Sequence, residues 1–240
     1  MLELAGVGYR YTRWLFRDVT FSVPAGTVTA VLGPNGSGKT TLLRCAAGLL
    51  SPQAGAVRRS TPAAFVPQAH QSTFAYRVVD MVLMGRVRNV PTFATPGRRD
   101  HAAARDAMER VGILDLAGTP FSSLSGGQQQ LVRIARAVAS GTRILVLDEP
   151  ATGLDLRNQG RLLTLLRELA DAQMAVLLTT HQPDHARYLA DTVVLLLGPD
   201  DVRVGPATRL LQDDTLNELY GIDIGAWPGS AHRTAERPLS

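Results

Sequence analysis

Residues 33–41 read Gly33-Pro34-Asn35-Gly36-Ser37-Gly38-Lys39-Thr40-Thr41. A β-rich run, residues 27–32, leads in, and Leu42, Leu43, Ala46, Leu49 and Leu50 follow at helical spacing. A turn of the form G-x-x-x-x-G-K-T between strand and helix lets backbone N–H groups curl around phosphate oxygens. The helix start adds positive potential, Lys39 can reach β- and γ-phosphates, and the Thr40 hydroxyl can ligate Mg²⁺. Of the 25 basic residues all but Lys39 are arginine, so a chain averse to lysine spends its single one here. Gly48 lies inside the helical pattern and blurs where that helix ends.

On either side, residues 16–23 form a second strand candidate before Pro24-Ala25-Gly26, and residues 63–66 a short one ending at Pro67-Gln68. Residues 78–84 and 100–111 read as helices around the Pro-containing loop 89–99. Residues 126–139 are a strong helix, with Ser125 as N-cap and Leu131, Ile134, Ala135 and Val138 as one apolar stripe. Continuous apolar runs at 144–147, 175–179 and 193–197 predict strands buried on both faces, and residues 156–170 a leucine-rich helix. Strand alternating with helix implies an α/β core.

Bulk properties narrow the function classes. Apolar residues make up 45% and charged residues 19% of 240, a globular composition. The net charge of +4 is carried by scattered arginines and does not form a nucleic-acid patch. The single cysteine, Cys45, reads as a small buried filler and cannot form an internal disulfide. The start, MLELAGVGYRYTRW, lacks the basic lead and apolar run of a signal peptide. No apolar run approaches the roughly 20 residues of a spanning helix, so a soluble, cytoplasmic chain is expected.

Two further stretches carry chemistry. The run 144–147 ends in Asp148 and Glu149. Asp148 could hold Mg²⁺ through water, and Glu149 could polarise an attacking water as general base. Solvated acids capping a strand end are the alternative. Leu124-Ser125-Gly126-Gly127-Gln128 sets a serine and two bare glycines at a helix start, a second phosphate site in one chain, about 20 residues ahead of Asp148. His70, His101, His185 and His232 show no metal-ligand spacing, and Met81 and Met84 read as helix-core residues.

Together these stretches resemble the ABC ATPase family: GPNGSGKTT its Walker A, LSGGQ its signature and ILVLDEP its Walker B. The resemblance covers about residues 2–222. It implies a RecA-like P-loop NTPase fold with an N-terminal antiparallel β subdomain and an inserted α-helical signature subdomain. In that scheme the catalytic core is 1–68 and 143–224, the helical subdomain 69–142, and the tail 225–240. The resemblance also makes Gln68 the Q-loop glutamine, Asp155 the D-loop aspartate and His181 the switch histidine on the γ-phosphate. Gln68 joins Thr40 and Asp148 around the metal, and Tyr11, with Tyr9 and Trp14 close by, takes the place of the adenine-stacking aromatic. Two departures stand out: Gln129-Gln130-Leu131 where many members carry arginines, and ATGLDL in place of the commoner TSALD.

The family resemblance implies ATP and Mg²⁺ as ligands and a head-to-tail pair of chains, each ATP lying between residues 33–41 of one and 125–128 of the other. Integral membrane permease subunits, and through them a substrate-binding protein, complete the expected assembly on the cytoplasmic face of the inner membrane. The stretch 74–86 and the late LNELYGI at 216–222 look like importers of iron-siderophore, haem, cobalamin or molybdate complexes, with manganese and zinc importers as the alternative. A non-transport ABC ATPase is a competing class, but no second cassette fits and the 57 positions between Gln68 and Ser125 hold only a compact lobe. A P-loop kinase is a third, against which LSGGQ argues, since a kinase needs no second phosphate site on a partner. In the lobe, an apolar helix beside Arg77, Arg86 and Arg88 is expected to receive a permease helix, with the arginines as its rim.

Overall fold

The computed structural model describes residues 1–68, 76–91 and 94–221. His70, Phe74, Ile222, His232 and the expected tail 225–240 lie outside the described residues.

Two sheets share the chain. β1 (Leu2–Arg10), β2 (Trp14–Val23) and β4 (Ala54–Arg59) form an antiparallel sheet in the order β2-β1-β4. β3 (Val28–Leu32), β5 (Ala63–Val66), β6 (Ile144–Leu147), β7 (Ala175–Thr179), β8 (Thr192–Leu196) and β9 (Val202–Pro206) form the second, in the order β5-β6-β7-β3-β8-β9. All its pairs are parallel except β8 with β9. The apolar runs explain this sheet. Successive side chains of a strand point to opposite faces, and here each face has its own core. Leu145, Leu147, Val176, Leu178, Val193 and Leu195 enter one core, while Ile144, Val146, Ala175, Leu177, Val194 and Leu196 enter the other.

The second core lies between the two sheets and is filled by α1 (Lys39–Ala47) through Leu42, Leu43 and Ala46. Gly48 ends α1 in the left-handed conformation, φ 80°, and Arg59 donates to the carbonyls of Ala46 at 2.7 Å and Cys45 at 3.0 Å. The helix therefore stops before Leu49, which is 58% exposed, contrary to the spacing-based expectation. Cys45 is fully buried, and burial pushes its thiol up to about 11, so it is chemically quiet.

The helical lobe contains α2 (Val78–Leu83), α3 (Arg98–Val111) and α4 (Gly126–Ala139), packed through Val78, Val82, Ala104, Met108, Phe121, Leu131, Ile134 and Ala135. α5 (Leu156–Asp171), α6 (Pro183–Leu189), α7 (Ala207–Leu210) and α8 (Asp213–Tyr220) complete the chain. β4, β9 and the last three helices escape the sequence reading. β4, Ala-Gly-Ala-Val-Arg-Arg, has neither alternation nor β-branched density and is a strand only because β1 pairs with it.

The lobe corrects one expectation. Arg86 is not a rim charge: its side chain is 15% exposed, with Nε 3.1 Å from Asp100 and Nη1 donating to the Ala139 carbonyl at 3.0 Å. It ties the turn after α2 to α3 and to the end of α4. Charge reversal there therefore tests folding, not docking. Arg86→Glu should lower the melting temperature of the isolated chain by several degrees, because an acid would face Asp100 and a helix-end carbonyl. An unchanged melting curve would contradict this bracing role.

Candidate nucleotide site

Parallel register decides where the functional residues meet. Val66 pairs with Leu147, Leu147 with Leu178, and Val31 with Thr179, so β5, β6, β7 and β3 end side by side. Ligands of open α/β sheets bind outside such carboxyl ends. The residues that follow these ends are Gln68, Asp148-Glu149, Thr180-His181 and the Gly33–Thr41 turn.

A cleft of about 870 Å³ opens there. It is lined by Gly33, Pro34, Asn35, Gly36, Gly38, Lys39, Thr40 and Thr41, with Tyr11, Gln68, Glu149 and His181. Ser37 borders this turn from within: its Oγ is buried and has no hydrogen-bond partner among the described residues. Gly33 must be bare, since a Cβ there would stand 2.6 Å from Ser37 Oγ and 2.8 Å from the Leu196 carbonyl. Gly38 caps α1 at φ 95° with no side-chain hydrogen bond, leaving the first-turn N–H groups for a ligand. Lys39 is 7% exposed, and its Nζ donates to the carbonyls of Gly33 at 2.8 Å and Pro34 at 3.0 Å. Burial draws its pKa down, opposed by the charges of Glu149 and Asp148.

The acidic pair is held by β7. Thr179 Oγ1 accepts from the Glu149 N–H at 2.7 Å and donates to buried Asp148 at 2.8 Å. Glu149 sits at φ 45°, an uncommon backbone for a residue with a Cβ. Its Oε2 accepts from Thr152 Oγ1 at 2.8 Å and lies 3.0 Å from His181 Nδ1. Of the three candidate aromatics only Tyr11 lines the cleft, 65% exposed, with Tyr9 edge-on behind it at 5.3 Å. Trp14 instead stacks under Arg10.

Ser125, Gly126, Gly127, Gln128 and Asp155 do not line this cleft. Ser125 Oγ accepts from the Gln128 N–H, and the Gln128 side chain accepts from the Ser125 N–H, a capping box that starts α4. Gly127 packs against Asn158, whose amide and backbone N–H both donate to Asp155 and draw its pKa down. The LSGGQ turn and the start of α5 thus form one exposed ridge, with Leu156 beside it 86% exposed.

Four residues of the site went unread in the sequence. Thr179 and Thr152 are ordinary threonines whose role exists only through pairing with Asp148 and Glu149. Leu15 and Tyr220 also line the cleft, and only the fold brings them there. The sequence signal for Thr152 was its place in ATGLDL, a departure to which no role could be attached.

Comparison with known proteins agrees with this architecture. The family model described as ABC transporter matches residues 16–152. The molybdate import ATP-binding protein MolC of Haemophilus influenzae is 41% identical over 93% of this chain and 88% of its own length. A metal-chelate type ABC transporter solved in an inward-facing conformation is 39% identical, with a TM-score of 0.87 over 92% of this chain and 88% of that one. The dimeric cassette MJ0796 shares the fold, at a TM-score of 0.73 and 22% identity, over 86% of this chain and 99% of its own. With its 33–41 turn, acidic strand end and His181 gathered in one cleft, the chain belongs to the ABC transporter family, as a nucleotide-binding ATPase subunit whose hydrolysis is coupled to transport.

Proposed function

We propose that the chain powers an importer of a metal complex, of the iron-siderophore, haem, cobalamin or molybdate type, as a head-to-tail pair bound to membrane permease subunits at the cytoplasmic face. One observation supports the pairing: the 125–128 turn, a helix start that suits a phosphate, stands outside the cleft lined by the 33–41 turn. In the proposed pair it faces the nucleotide of the second copy. The molybdate and metal-chelate systems among the similar proteins support the substrate class. No helix among the described residues is long and apolar enough to cross a membrane.

Within this reading Tyr11 stacks on adenine, the 33–41 turn wraps the phosphates, and Lys39 exchanges its loop carbonyls for β/γ-oxygens. Thr40, Gln68 and Asp148 are all oxygen donors, which suits a hard cation. Among the described residues no group of three or more His, Cys, Asp or Glu gathers as a metal site of its own. Mg²⁺ suits such a site, because it is commonly held by one or two carboxylates plus phosphate and water. Bound there, it would neutralise charge on the β- and γ-oxygens. Glu149 takes a proton from water as that water attacks the γ-phosphorus. The bond to the β-bridging oxygen breaks, and ADP and phosphate leave. His181 turns from Glu149 to the γ-phosphate.

The permease contact falls on a groove of about 480 Å³ in the lobe, lined by Leu83, Met84, Val87, Val90, Asp80 and His101. Its apolar floor suits a short helix, while its polar edge is Asp80 and His101 in place of the expected arginines. Met84, read as core from the sequence, is 41% exposed here. Val87, 71% exposed, offers a clean test. Val87→Asp should leave basal ATPase activity within twofold while permease co-purification and transport fall. Normal transport by that variant would exclude this groove as the contact.

A further inference from the structure

Tyr220 is the last residue of α8, and Gly221 follows as a left-handed cap at φ 64°. The helix is anchored from several sides. Leu216 and Leu219 are buried in the main core. Arg203 on β9 grips Glu218 with two nitrogens, at 2.7 and 2.6 Å. Arg187 on α6 donates to the Leu211 carbonyl at 2.9 Å and to Asp213 at 2.9 Å. α6 begins at Pro183, two residues after His181, so α8 is fastened to the element that continues the switch.

These anchors bring the half-buried Tyr220 ring to the wall of the nucleotide cleft, where its hydroxyl donates to the backbone carbonyl of His181 at 3.3 Å. The same His181 turns its Nδ1 to Glu149. A backbone carbonyl gripped on one side fixes the turn on which the imidazole swings. We propose that Tyr220 is a positioning residue for ATP hydrolysis, holding the His181 turn in place through the His181 carbonyl. Burial and the nearby Glu149 charge raise its phenol to about 12, so it remains a donor across the working range. The inference rests on the reading of Glu149 and His181 as hydrolytic machinery.

The test uses the full chain with four variants. Tyr220→Phe keeps the ring and its packing and removes only the donor. Its kcat should fall about 2- to 10-fold, the range of one lost hydrogen bond, with KM for ATP and the melting temperature unchanged. Tyr220→Leu removes the cleft wall too and should raise KM in addition. Glu149→Gln and His181→Ala test the underlying reading separately: if either turns over ATP like the parent, that reading fails. If both are impaired while Tyr220→Phe has the parent kcat, the Tyr220 proposal alone fails. It fails equally if Tyr220→Phe loses activity only in step with a lowered melting temperature, the signature of a merely structural role.

Discussion

Glu149→Gln should bind ATP like the parent and hydrolyse it about 10²–10⁴-fold more slowly, the usual cost of a removed general base. The substitution is nearly isosteric. Glutamine meets the same backbone at φ 45°, keeps the Thr179 contact through its N–H, and can still accept from Thr152 through its amide oxygen. What disappears is a group that can take a proton from water. Because binding survives and release is blocked, ATP should hold two chains together. Phosphate release and retained nucleotide, measured on one preparation, check both halves. Turnover equal to the parent would remove Glu149 from the chemistry.

Lys39 carries the second large effect. Lys39→Ala removes the only cation in the turn and should weaken ATP binding about 10- to 100-fold, the range for hydrogen bonds to charged groups. Lys39→Arg should also fail, in a chain that uses arginine at every other basic position. The ammonium is 7% exposed and fits between two carbonyls of its own loop, Gly33 at 2.8 Å and Pro34 at 3.0 Å. A planar guanidinium is too broad for that slot and cannot present one compact charge to the β/γ-bridge. Nucleotide titration of both variants checks the claim. Parent-like affinity and turnover in Lys39→Arg would show that the lysine is there for another reason.

Legibility followed the range of the interactions. The 33–41 turn, the 126–139 helix and the strands at 63–66, 144–147 and 175–179 could be read because local pattern and final environment agree there. Gly48 and Leu49 misled in part, since a helical spacing ran on past a glycine that ends the helix with help from Arg59, a strand residue. Arg86 looked like a surface charge because nothing local reveals Asp100 or the Ala139 carbonyl. Tyr220 reaches the cleft through Arg203 and Arg187, whose partners Glu218 and Asp213 lie 15 and 26 residues away in the chain. Residues whose roles depend on such distant partners carry no mark in their neighbours.

Each ATP is expected to lie between two copies of the chain. Disulfide capture tests it directly, and the chain is suited to it. Its one cysteine, Cys45, is fully buried with its thiol raised to about 11, so engineered thiols can react without interference. Asn35 is exposed on the phosphate turn and Ser125 is exposed on the opposite ridge. A chain carrying Asn35→Cys and Ser125→Cys, oxidised with ATP present, should give a covalent species of twice the 25.8 kDa chain mass, and far less of it without nucleotide. ATP bound at parent affinity with the chain remaining monomeric under oxidation would contradict a shared site.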